Sequence, residues 1–313
     1  MSETANSDKK VSGAPNEELD AGRRSCRAAA RKFYQNSLWV MGNMPGDEKT
    51  GCFCVLHHLM RVLDMLDLSS VDGETLDVWQ EVHDELEQAL RGSSPSPELT
   101  ALADTVNRFG IPEKFVFDPL VAADTWICNR RHETFDQLQQ FAGQVGGATL
   151  AAAITVVGVK PGADYHARAI EAGKAMMLTR LLANCVADAN RGRLFLAEED
   201  LGECEVDVHR LQLRQPGKSV TWLVRLYASR IEKIFNAGGE LIHDLDFDAA
   251  RSFKSLMTMH WRILNQLRVD PELILRTDSP LSTSDLLRLR ARHLLGLEGN
   301  ASILPTTNHN GHH

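Results

Sequence analysis

The chain has 313 residues, 43% of them apolar, and carries a net charge of -8 at pH 7. That length suits one large core or two small ones. The acidic balance argues against nucleic acid as a general partner, and any anionic ligand needs a local basic cluster.

Residues 1–22 are rich in Ser, Asn, Asp, Glu and Lys and poor in apolar residues, a composition that predicts disorder. The opening MSETANSDKK is too polar for a secretory signal. Cys26, Cys52, Cys54, Cys128, Cys185 and Cys204 therefore read as reduced thiols in a cytoplasmic protein. From there the pattern is helical. Apolar residues recur at steps of three and four in CVLHHLMRVLDML, LDVWQEVHDELEQAL and WLVRLYASRIEKIF. No long alternating run and no hairpin dipeptide points to strands. Breaks are expected at Gly92–Pro97, Gly110–Pro112, Pro161–Gly162 and Gln215–Gly217. The expectation is one all-α domain over residues 23–297, followed by a loose His-rich tail, 298–313, that binds metal only adventitiously.

Four residues in the first strong helix, Cys52, Cys54, His57 and His58, have the chemistry of zinc ligands. Closed zinc sites pair two such ligands with a distant second pair, so a buried helix with a few polar-capable residues is the preferred reading. Further along the same helix, Asp64 and Asp67 stand at i and i+3 and could share one magnesium ion, which is commonly held by one or two carboxylates plus substrate phosphates. Asp64 with Arg61 reads equally as a surface ion pair of little energetic weight.

The stretch FAGQVGGATLAAAITVVGV, Phe141–Val159, is long enough to cross a membrane. It carries Gln144, two Thr and four Gly, and a helix buried within a soluble fold fits it better. Its small side chains allow close helix packing, or the wall of a tunnel beside it.

In MLTRLLANCVADANRGRLFL, Met177, Arg180, Asn184 and Asp188 lie at steps of three and four and share one helical stripe. Arg191 and Arg193 flank Gly192 just beyond. Paired guanidinium groups match the oxygens of a multiply charged anion. An exposed basic end complementing the helix dipole is the simpler account of these two residues alone.

Taken in order, five segments resemble the squalene/phytoene synthase family of head-to-head prenyl transferases, over roughly residues 31–295. FYQNSLWVMGNMP resembles the family's opening Ser/Phe-rich segment, with Ser37 in the place of its Ser. CVLHHLMRVLDML resembles the helix bearing Arg-x-x-Asp-Asp-x-x-Asp. ETFDQLQQFAGQVGGATLAAAITVVG resembles the Phe-x-x-Leu…Ala-Gly-x-Val-Gly segment. MLTRLLANCVADANRGRLFLAEEDL resembles the second acidic motif with its Arg-Gly-Arg, and MTMHWRILNQL the late Tyr-Arg-x-Ile-Leu helix, with Trp261 in the Tyr place.

The resemblance implies a class I isoprenoid synthase-like fold, helices around a central cavity. It implies Asp64 and Asp188 as catalytic acids. It further implies Ser37, Arg61, Arg180, Arg191 and Arg193 on the substrate diphosphate, and Asp64, Asp67, Asn184 and Asp188 on magnesium. Lipid substrates imply peripheral contact with a membrane. The family's chemistry is departure of diphosphate from farnesyl or geranylgeranyl chains and their joining into squalene- or phytoene-type products.

The departures from the family pattern fall on the metal ligands. Met65 and Leu68 replace the second and third acids of the first motif, and Asp67 points about 100° aside from that third position. In the second motif Met177 replaces Gln, Arg180 replaces Asn, and Asn184 replaces the first Asp; only Asp188 keeps its acid. Phe195 and Ala197 replace Tyr and Pro, and His57 and His132 stand where the family has Tyr. A full magnesium cluster is not expected from this set. Two readings follow: a divergent prenyl diphosphate transferase, or a non-catalytic relative that binds a prenyl diphosphate or pairs with an active homologue.

Overall fold

A computed structural model describes residues 14–33, 37–42, 44–68, 73–276, 281 and 283–295; the side chains of 14, 15, 33, 67, 68 and 73–78 lie outside the description. Among the described residues the chain is helical throughout, with no strand. The long helices are α1 (Ala14–Phe33), α2 (Gly46–Leu68), α3 (Gly73–Leu90), α4 (Pro97–Phe109) and α5 (Lys114–Asn129). They continue with α6 (Phe135–Ala142), α7 (Ala148–Val157), α8 (His166–Asn190), the short α9 (Glu198–Glu203) and α10 (Val208–Gln212). The last are α11 (Lys218–Gly239), α12 (Phe247–Val269), the short α13 (Leu273–Arg276) and α14 (Thr283–Leu294).

The expected breaks fall between helices, and local chemistry explains why. Ser96 caps α4, its hydroxyl accepting from the Leu99 amide at 3.3 Å with Pro97 at the first helical position. Gly110 ends that helix in the left-handed conformation, its amide donating to Val106 O. Thr134 and Asp207 cap α6 and α10 in the same manner as Ser96.

The disorder expected through residue 22 is corrected for residues 14–22, which form the first turns of α1. Composition missed the tertiary partner. Cys26 and Ala30 are part of the core and Leu19 packs against it, α1 packs on α4 and α2, and Arg23 donates to Asp104 at 2.8 Å. Packing of one face holds a helix that its polar composition would not. Residues 1–13 and the His-rich tail lie outside the described residues.

Helix α8 is the axis of the fold. Fourteen of its residues are buried, and it packs against α7, α11 and α12. The Phe141–Val159 stretch lies beside it as one continuous run. There α6 passes through a single π-helical turn, Gly143–Gly147, into α7, and Gly158 ends the run at φ +97°. Residues 135–157 are long and apolar enough to cross a membrane, yet they pack against α2, α5 and α8 within the protein.

The glycines of this run set the helix spacing. A Cβ on Gly173 of α8 would meet Gly146 O at 2.3 Å and Gly147 Cα at 2.7 Å. Both obstacles are backbone, so the helices would have to separate. Gly173→Ala should lower the unfolding free energy by about 1–3 kcal/mol, the usual cost of overpacking. Urea denaturation of the full chain checks this, and an unchanged midpoint would refute the close crossing.

Candidate functional site

The stripe on α8 is realised. Met177, Arg180, Asn184 and Asp188 line one polar pocket of about 230 Å³. Leu63, Asp64 and Leu66 of α2 form a facing wall, and Arg191, Arg193 and Phe195 enter from the segment after α8. Two carboxylates and three guanidinium groups thus converge from two helices and one turn.

The turn geometry follows from Gly192. It adopts φ +73°, a conformation that costs a residue with a side chain roughly 1–2 kcal/mol. The chain reverses there, and the Arg193 amide donates to Asp188 O at 2.9 Å. The reversal returns the Arg193 side chain over Asp188, with Nη2 3.3 Å from Oδ1. Arg193 is only 6% exposed and the Asp188 side chain 13%.

Burial pushes the Asp188 carboxyl up to about 6, against the downward pull of Arg180 and Arg191. A carboxyl raised in the folded state favours folding in its neutral form. Its contribution is therefore complete below about pH 4 and is lost as pH rises through about 6. Asp188→Asn removes this titration. The stability difference, variant minus wild type, should grow in the variant's favour between pH 4 and pH 7 and level off above, as read from thermal midpoints across that range. A difference independent of pH would contradict the buried, raised carboxyl.

The segment beyond Arg193 is anchored by a network that the sequence did not reveal. The Ala197 amide donates to the Tyr227 hydroxyl at 2.9 Å, and that hydroxyl is hydrogen-bonded to Asp200. Arg230 Nη1 donates to both Asp200 oxygens at 2.7 and 2.8 Å, and its guanidinium lies over the Phe135 ring. Glu198 N donates to His132 O at 2.9 Å, and Glu199 Oε1 accepts from Phe135 N at 2.6 Å. An acidic run such as Glu198–Asp200 reads as a solvated face; the signal available was the i, i+3 pairing of Tyr227 with Arg230 on one side of α11.

A second space adjoins the pocket. It is an apolar cavity of about 390 Å³, walled by Thr149, Ala153 and Val157 of α7, Met176 of α8, and Phe253 and Leu256 of α12. Met177 and Arg180 line both spaces. The small residues of 141–159 therefore serve both readings: the π turn packs tightly on α8, and α7 walls a cavity.

The other expected site residues are placed differently. Arg61 is turned away from the polar pocket and pairs with Glu85 of α3 at 3.3 Å, because α3 presents a carboxylate on that side of α2. Ser37 lines the apolar cavity and not the polar pocket. Asp67 lies in the last turn of α2, with its side chain outside the description. The zinc candidates diverge: Cys52 faces the apolar cavity, Cys54 faces Cys26 and Thr105, and His58 Nε2 lies 2.7 Å from Val116 O. His132 lies tilted against the rings of Trp126 and Phe141, and burial holds its imidazole down at about 4.

Magnesium requires several oxygen ligands in near-octahedral array. Among the described residues no three His, Cys, Asp or Glu side chains come together to hold an ion. Asp188 already engages Arg193, and Arg180 adds a positive charge on the same stripe. These residues do not fit the multi-ion cluster that the family resemblance implies. What the pocket can do is hold an anion, with an apolar chain attached to it lying in the adjoining cavity.

Comparison with known proteins gives the same family. A family model for squalene/phytoene synthase matches residues 26–286. A phytoene synthase from Arthrospira platensis is 26% identical over 257 residues, 77% of this chain and 82% of the relative. The chloroplastic phytoene synthase of Daucus carota is 25% identical over 194 residues, 59% of this chain and 47% of that longer protein. In fold the chain resembles a dehydrosqualene synthase crystallised with a ligand, at a TM-score of 0.78 and 19% identity, covering 90% of this chain and 99% of that one. It also resembles the squalene synthase HpnC from Alicyclobacillus acidocaldarius, at a TM-score of 0.72 and 18% identity, covering 81% and 95%. With the family model spanning all helices from α2 to α13 and the edited motifs meeting in one pocket, the chain belongs to the squalene/phytoene synthase family.

Proposed function

We propose that this protein takes prenyl diphosphates, farnesyl or geranylgeranyl, and joins two of them head to head into a squalene- or phytoene-type product. The observation that carries this reading is the meeting of the polar pocket and the apolar cavity at Met177 and Arg180. A prenyl diphosphate has that same division, a charged head on an apolar chain. Arg180, Arg191 and Arg193 stabilise negative charge as the C–O bond to the diphosphate breaks and its electron pair leaves with the phosphate oxygen. The allylic cation left behind lies among Met, Leu and Val side chains, in a cavity whose wall is largely apolar. Joining to a second chain through a cyclopropyl diphosphate is the family's chemistry, carried over here as part of the proposal.

Peripheral contact with a membrane belongs to the same reading. Ala249, Ser252 and Phe253 of α12 line the apolar cavity, and Phe247 at the start of that helix is 83% exposed. An exposed aromatic side chain beside a lipid-sized cavity suits the boundary of a bilayer.

A second reading is favoured by one observation. Arg180 stands on the stripe where the family places metal ligands, and Asp188 of that stripe is paired with Arg193. On this reading the chain binds a prenyl diphosphate without turning it over, or serves an active homologous subunit. Diphosphate release and extracted lipids, measured with farnesyl and geranylgeranyl diphosphate in magnesium or manganese, separate the two. A C30 or C40 head-to-head product supports the first reading. Binding without turnover supports the second, and the absence of both overturns each.

A further inference from the structure

Among the described residues, the charge lining the polar pocket has the sign opposite to what metal-mediated binding needs. A site that holds diphosphate through divalent ions must first gather those ions with carboxylates. Among the described residues that line the pocket, Asp64 and Asp188 are outnumbered by Arg180, Arg191 and Arg193. Asp188 is further committed to Arg193 at 3.3 Å.

Arg180 and Arg191 form no ion pair among the described residues and act on Asp188 only through their charge. Among the described residues neither guanidinium is held by a carboxylate, so both can present their donors to an incoming anion. Guanidinium stays charged at all working pH and offers five donors in a fork that matches phosphate oxygens. The position of Arg180 is the more telling of the two. It borders both the polar pocket and the apolar cavity, so it stands where the diphosphate of a bound lipid would join its first carbon.

We propose that this chain grips the prenyl diphosphate directly with Arg180 and Arg191, and that a divalent cation is not required for binding. The inference rests on the prenyl diphosphate reading above and deepens it: a fixed cation on α8 replaces recruited ones. It concerns binding, so it holds for a catalytic and a non-catalytic protein alike.

Isothermal titration of the full-length protein with farnesyl thiodiphosphate, a slowly ionising analogue, tests it in two buffers, one with EDTA and one with magnesium chloride. The expected result is binding in both, with dissociation constants within about threefold of each other, less than 1 kcal/mol. Arg180→Asn should weaken binding about tenfold or more in both buffers, the scale of a lost charge-assisted contact. Arg191→Gln, a change at an exposed position that does not threaten the fold, should weaken it in the same direction. Wild-type binding seen only with magnesium, or tighter magnesium-dependent binding by Arg180→Asn, would overturn the inference and leave the prenyl diphosphate reading standing. No binding by the wild type in either buffer would overturn both.

Discussion

Asp200→Ala should lower the unfolding free energy by about 3 kcal/mol, the low end of what removing one partner of a buried ion pair costs. The Asp200 side chain is fully buried and Arg230 is partly open to water, which places the effect at that end. The loss comes from what remains. Arg230 keeps its charge with no carboxylate at Nη1, and the Tyr227 hydroxyl loses its bond to Asp200 while still receiving the Ala197 amide. Urea denaturation gives the number. Because this network fixes the segment that follows Arg193, the variant should also bind diphosphate more weakly. Loss of stability below 1 kcal/mol would mean that Asp200 is a bystander.

Ala153→Phe should reduce affinity for farnesyl diphosphate at least about tenfold, with little change for inorganic diphosphate. Ala153 is half-buried on α7 and faces the apolar cavity, so a benzyl group there enters open space before it meets packed atoms. Each methylene of ligand kept from burial costs about 0.8 kcal/mol, and two already amount to roughly tenfold. Paired titrations with the two ligands distinguish this from general damage. Equal loss for both, or loss for neither, would mean that the prenyl chain does not occupy this cavity.

The helical class and the stripe on α8 were legible because both are matters of spacing. Steps of three and four place side chains on one face whatever the surrounding fold, and Met177, Arg180, Asn184 and Asp188 do share a pocket. The breaks at Ser96–Pro97 and Gly110 were legible for a similar reason, since caps and left-handed turns are local chemistry. What the sequence hid depended on long-range partners. Residues 14–22 look disordered until α4 supplies Asp104 and a packing face. Arg61 looks like a phosphate ligand until α3 supplies Glu85. Ser37 takes its place in the apolar cavity because the turn at Leu38–Met41 packs against α12. Asp200 stands out only once α11 brings Tyr227 and Arg230 beside it. Asp64 of the first motif and Asp188 of the second line the same pocket, while the departures within the motifs carry what is particular to this chain.

On the proposed function one ligand spans both spaces, its head among Arg180, Arg191 and Arg193 and its chain along α7. A crystal structure of the protein soaked with farnesyl thiodiphosphate tests this most directly. Phosphate oxygens are expected within hydrogen-bond reach of Arg180 and Arg191, with the prenyl chain running past Ala153 toward Val157. A diphosphate bound elsewhere, such as among Arg23, Arg24 and Arg27 where α1 meets α2 and α4, with the apolar cavity empty, would contradict it.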